Sequence, residues 1–211
     1  MKLIQKVEGL GGRTHRVHYS ERQKSFYVLS SGLNTLTKLT PNEAGLLNVT
    51  LSKKLDFLGL SYTRSFSIYE DYAYFVSGPG RITKTLLKDD SFSVVQQFDV
   101  SPDLRSMNDV FYSGSYWYLT ATPKRIVRVK DLSDLTNSPG DAEDIYSELG
   151  LRGTPYYITI IDGRIFIPEI TEHSGLLSFV EHGDKLLDVR VHFDFGPPSP
   201  ESVERKMKHI K

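Results

Sequence analysis

Seven cationic side chains recur in this chain where a short polar loop meets an apolar, aromatic-rich stretch. Arg13, Arg64, Arg105 and Arg152 each stand at the head of such a stretch, and Arg81, Lys124 and Arg125 follow later stretches. A guanidinium is a planar fork that donates to two oxygens of a carboxylate, sulfate or phosphate at once, so a convergent set would attract anions. Tyr156, Tyr157 and His15 stand at matching places beside the arginines. A tyrosine offers an apolar ring together with a hydroxyl, which is the pairing a sugar ring requires. The competing reading is structural: arginines that bridge loop carbonyls and nearby acids, and tyrosines that fill the core.

A second set of residues suggests a different chemistry. Glu169 and His173, in the segment Glu169-Ile170-Thr171-Glu172-His173, carry donors that could hold a divalent metal such as calcium or act as a general acid and base. That segment reads as a loop, so the helical spacing of a zinc motif does not apply to it. The 6 histidines show no HExxH or HxH spacing, and no Gly-x-Ser-x-Gly elbow occurs. Gly9-Leu10-Gly11-Gly12 lacks the helix that a phosphate-cradling loop feeds. No catalytic residue is assigned.

The elements that must position these groups are strands. Tyr69 through Ile82 reads as two aromatic-rich strands around a tight polar turn, running into a glycine-proline loop. The phrase recurs at Phe111–Thr120 and Ile160–Pro168, with a longer-turned copy from Val17 to Leu29. Taking Leu29, Val76, Leu119 and Ile167 as equivalent gives a period of about 45 residues with several strands per unit, the mark of a β-propeller blade. The expected fold is all-β, a propeller of four to five four-stranded antiparallel blades over residues 1–196. Its repeats fall near 13–55, 62–100, 105–149 and 154–195. Asp162-Gly163, Ser113-Gly114 and His182-Gly183-Asp184 supply the hairpin turns.

The third repeat has a poor fourth strand, because residues 131–148 are acidic and contain Pro139-Gly140. Residues 157–161 are expected to form the inner strand of the fourth repeat. Met1–Val7 reads as an opening strand, added to the last blade or belonging to an incomplete fifth. Residues 197–211 read as a C-terminal helical tail, with Ser199 as its cap and Val203, Met207 and Ile210 on one stripe. Trp117 reads as core.

The repeats resemble the β-propeller superfamily. The run Ser106-Met107-Asn108-Asp109-Val110, then an aromatic strand, then Thr122-Pro123-Lys124-Arg125-Ile126, is similar to repeats of lactonase-like and NHL-like propellers. The lactonase-like resemblance implies a divalent metal at the channel mouth, with Asn108 and Asp109 at the matching positions. Topology adds that the loop before the first strand of each blade and the loop between its second and third strands emerge together. The seven cations lie in those loops, while many acids, Glu70, Asp71, Asp162 and Asp184 among them, lie at the other end.

Composition bounds the function classes. With 26 Lys+Arg against 26 Asp+Glu, the formal net charge of +0 supplies no overall field toward nucleic acid or membrane, and neither is expected as a partner. Cys 0 removes disulfides and thiolate chemistry. No early apolar run reads as a signal peptide, so a cytoplasmic location is expected, with secretion left open. The sequence reads first as a non-catalytic binding module for an anionic ligand. That ligand is an acidic glycan, a small carboxylate or phosphate, or an acidic protein segment, taken without a cofactor. The alternatives are a metal-dependent, lactonase-like hydrolase and a protein-interaction scaffold. The oligomeric state is left open.

Overall fold

The computed structural model describes residues 4–10, 12–59, 62–136 and 142–197. Four antiparallel sheets follow one another along the chain as the blades of a β-propeller. The first contains β1 (Thr14–Ser20), β2 (Ser25–Ser30), β3 (Thr35–Pro41) and β4 (Leu47–Lys54), paired in that order. The second contains β5 (Thr63–Tyr69), β6 (Tyr72–Ser77), β7 (Arg81–Leu86) and β8 (Val94–Asp99), again in order. The third runs β9 (Met107–Tyr112), β10 (Trp117–Ala121), β11 (Arg125–Val129) and the two-residue β12 (Glu143–Asp144). The fourth pairs β13 (Thr154–Pro155) and β14 (Thr159–Ile161) with β15 (Arg164–Ile170), followed by β16 (Ser174–His182) and β17 (Lys185–Gly196). Two compact units divide the chain at β9, Met1–Val110 and Phe111–Lys211.

Tight turns and alternating burial explain why these stretches pair. Ile161 lies opposite Arg164 across Asp162 (φ 49°) and Gly163 (φ 74°), the left-handed pair that a two-residue hairpin demands. Tyr69 lies opposite Tyr72, with Glu70 at φ 54°. In the first unit one face of the first two sheets closes on a cluster including Tyr27, Leu29, Leu36, Phe66 and Phe75. The Phe66 and Phe75 rings stack there at 5.6 Å. The second unit has its own cluster, built on Tyr118, Ile126, Ile165, Ile167, Leu177 and Phe179. Each such side chain contributes roughly 1.5–3 kcal/mol by leaving water. Trp117 is buried, as expected, with Tyr112 tilted against it.

The third sheet has the weak outer strand expected of it. Between β11 and β12 the chain makes a short 3-10 turn at Leu132–Leu135, capped reciprocally by Asp131 and Asp134.

Two expectations are corrected. Ile4–Val7 forms no strand. The Gln5 side-chain amide takes the place of a paired backbone, donating to the Leu47 carbonyl and accepting from the Leu47 N–H, both at 2.8 Å. Ile4 itself is 86% exposed, so no apolar face holds that segment against a sheet. The inner strand of the fourth sheet is also not continuous over 157–161. It is split into β13 and β14, and Pro155, which has no N–H to donate, sits at the break. Of the helical tail expected at 197–211, residues 198–211 lie outside the described residues.

Candidate anion-binding site

In the first unit the inner strands β1, β5 and the start of β9 carry a polar network in place of an apolar seam. Asp109 is completely buried, and its carboxylate lies 3.0 Å from the Arg16 guanidinium. It also accepts from the Ser65 hydroxyl at 2.5 Å and from the Val110 N–H at 3.0 Å. A charge this deep persists only when paired and hydrogen-bonded on several sides, and Asp109 is. Beside it, Arg64 donates to Oδ1 of the equally buried Asn108 at 2.6 Å. His18 accepts from Arg16 Nε at 3.2 Å. Burial first, and then the Arg16 charge, push its imidazole down to about 3, so it is neutral at pH 7.

Two cavities share Tyr62 in their linings. One, of about 300 Å³, is lined by Tyr62, Arg64, Gly78, Pro79, Arg105, Ser106 and Met107. The other, of about 430 Å³, is lined by Arg13, Ser31, Gly32, Leu33, Asn34, Lys54, Gly59 and Tyr62. Four cations line them, and no carboxylate is among the described lining residues. Among the described residues, neither Arg13 nor Arg105 has an ion-pair partner, so both charges are open to solvent ions or a ligand.

Local backbone sets these positions. The Arg13 stem lies along Gly32, where an added Cβ would come 3.7 Å from its Cδ. Gly80, at φ 74°, lets the chain approach Arg105 so closely that a Cβ would stand 2.8 Å from its Cγ. Tyr62 is held by its hydroxyl, which lies 2.9 Å from His15 Nε2, with the two rings edge to face at 5.6 Å. The other ring nitrogen, Nδ1, is 3.4 Å from the Arg64 carbonyl. A carbonyl only accepts, so Nδ1 carries the proton and Nε2 accepts from the tyrosine.

The sequence-derived arginines therefore separate. Arg13, Arg64 and Arg105, with His15 beneath Tyr62, gather around these cavities. Arg81 pairs with Asp99 at 2.6 Å, and its hydrogen bond holds the Asp99 carboxyl below the usual range. In the second unit Arg125 pairs with Asp144 at 2.7 Å and Arg152 with Asp194 at 2.5 Å. Tyr156 and Tyr157 are half-buried there and packed edge to face at 4.6 Å, with the Tyr156 N–H bonded to the Pro168 carbonyl.

The alternative metal donors are already committed. Asn108 and Asp109 belong to the buried network of the first unit. Glu169 accepts from the backbone N–H groups of Arg152 and Gly153, at 2.5 and 2.6 Å, and His173 Nε2 lies 2.9 Å from Asp194. Among the described residues no three His, Asp or Glu side chains gather as a metal-holding group. Among the described residues the hydrolase reading therefore has no such group to rest on.

Sequence reading missed Arg16, Lys54 and Tyr62. The signal for Tyr62 was present, since it stands two residues ahead of Arg64. Arg16 lies inside a strand, where nothing in the sequence marks an inward-turned charge.

No protein-family model matches the chain, and no curated protein matches it. Among solved structures, a candidate 6-phosphogluconolactonase from Bacteroides fragilis superposes with a TM-score of 0.56 at 15% identity, covering 88% of this chain and 56% of that one. A second, from Bacteroides uniformis, gives 0.54 at 14%, covering 87% and 55%. YCF48 bound to D1 peptide gives 0.56 at 12%, covering 81% and 52%. The chain thus spans little more than half the length of each, and the likeness is one of fold.

Proposed function

We propose that this chain is a non-catalytic propeller module that binds an anionic ligand or partner in the cavities that share Tyr62. The observation that carries this reading is the lining. Arg13, Lys54, Arg64 and Arg105 surround about 300 and 430 Å³ of open space with no carboxylate among the described residues, although the whole chain is electrically neutral. A site walled by protein and lined by one sign of charge focuses its field on the ligand. Arg64 is fixed by Asn108, so its geometry is set before a ligand arrives. Acidic glycans, small carboxylates or phosphates, and acidic protein segments all share the required chemistry. YCF48, of similar fold, is seen with a peptide bound, which supports an extended ligand as well as a small one.

The test is retention on a sulfated matrix as a function of salt, for the native chain and for the Arg13→Ala/Arg105→Ala pair. Hydrogen bonds to charged groups contribute roughly 1.5–3 kcal/mol each, so the double variant should bind about a hundredfold more weakly or less tightly still. Its salt dependence should also flatten. Equal retention by both proteins, with unchanged circular dichroism, would overturn the proposal.

A further inference from the structure

We infer that the ligand is an acidic oligosaccharide in which an uncharged ring lies on the face of Tyr62 and its charged neighbours enter the two cavities; this rests on the anion-binding reading above. Tyr62 is 41% exposed, yet its hydroxyl is committed to His15 and its ring is braced by that imidazole. What it offers a ligand is therefore a fixed ring surface whose hydroxyl proton is already donated, leaving that oxygen only as an acceptor. An aromatic face of this kind packs against the C–H face of a pyranose and leaves the sugar hydroxyls to the solvent and the rim.

The cations are divided between the two cavities. Arg13 and Lys54 line one cavity, and Arg64 and Arg105 line the other, with Tyr62 shared by both. An isolated phosphate would occupy one cavity and make no use of the ring. An extended acidic peptide is favoured where an exposed sheet edge can pair with its backbone. Here the walls are loops and strand ends, and one of them is Pro79, which has no N–H to give. Leu33, 56% exposed beside Arg13 and Lys54, extends the apolar surface in the manner of a glycan subsite.

The probes are a tetrasaccharide of alternating glucuronate and N-acetylglucosamine, in which an uncharged ring separates two carboxylates, and the peptide Glu-Gly-Glu. Both are titrated calorimetrically into the native chain, Tyr62→Phe, Tyr62→Ala and Arg13→Ala/Arg105→Ala, each checked for native circular dichroism. The expected result is tetrasaccharide binding at least tenfold tighter than peptide binding. Tyr62→Ala should lose about tenfold for the sugar only, Tyr62→Phe a few-fold, and the arginine pair should lose both ligands. Equal affinity for the two probes, with Tyr62→Ala unchanged, would overturn the glycan inference and leave the anion site standing. Binding of neither probe, with retention on the sulfated matrix intact, would overturn the glycan inference alone; loss of that retention as well would overturn both.

Discussion

Arg16 and Asp109 form a buried ion pair, 3.0 Å apart, between the first strand of the first sheet and the first strand of the third. Removing one partner takes from the other its opposite charge at 3.0 Å. Asp109→Leu should therefore destabilise the fold by about 3–5 kcal/mol, whereas Arg16→Met/Asp109→Leu should recover most of that loss. Urea unfolding of the two variants measures the difference directly. A double variant no more stable than the single would show that the network is held by something other than this pair.

His18 makes the fold sensitive to acid. Its imidazole is lowered in the folded chain to about 3, chiefly by burial, against 6.5 when unfolded. Between those values the unfolded chain binds a proton that the folded chain does not. The His18 contribution is thus complete above pH 6.5 and declines as pH falls, by about 1.4 kcal/mol per pH unit. Going from pH 6.5 to 5 should lower stability by roughly 2 kcal/mol, and His18→Gln should remove that slope. Denaturant midpoints at several pH values provide the check.

Gly153 stands where no side chain fits. A Cβ there would lie 2.2 Å from the His173 carbonyl oxygen and 2.9 Å from that of Ile170, both backbone atoms. Its N–H is also one of the two that the Glu169 carboxylate accepts. Gly153→Ala should lower stability by roughly 1–3 kcal/mol through overpacking alone. Thermal unfolding of this variant beside Glu169→Gln, which keeps the bulk of the buried side chain and removes the charge from its two bonds, separates the two causes.

The repeat period and hairpin turns were legible because they are local: Asp162-Gly163 needs only its own backbone to declare a turn. The opening segment misled because Lys2 to Val7 alternates like a strand, whereas the pairing at Leu47 is made by the Gln5 amide, which alternation does not encode. The arginines were found but not sorted. Whether one is free depends on where an acid falls on another strand, and Asp99 and Asp194 lie 18 and 42 residues from their partners. Arg16 was hidden for the same reason, since Asp109 is far from it in sequence.

That sorting leads to a contrast between variants. Arg81→Ala, Arg125→Ala and Arg152→Ala each break a pair with an acid that is itself more than a third exposed, and exposed pairs contribute about 0–1 kcal/mol. None should change retention on a sulfated matrix by more than about twofold, whereas Arg13→Ala and Arg105→Ala should each reduce it by about tenfold. Comparable losses from all five would mean that the anion is attracted by the overall field and not by the cavities at Tyr62.

Gly80 offers a way to disturb the site without removing a charge. Its φ of 74° is left-handed, and an added Cβ would meet Arg105 at 2.8 Å from Cγ and 3.1 Å from Cα. The Cγ could swing aside, but the Cα belongs to the backbone, so Gly80→Ala should shift the Arg105 loop as a whole. The strain of a non-glycine residue at that φ adds about 1–2 kcal/mol. The expected outcome is a modest fall in melting temperature together with several-fold weaker retention on the sulfated matrix, at unchanged net charge. Gly45→Ala is the control, since it has the same φ of 74°, an added Cβ there meets nothing within 4 Å, and it lines neither cavity. If Gly80→Ala binds as the native chain does, while Arg105→Ala does not, the guanidinium needs only to be present near the cavity; if both weaken, its placement by Gly80 is part of the recognition.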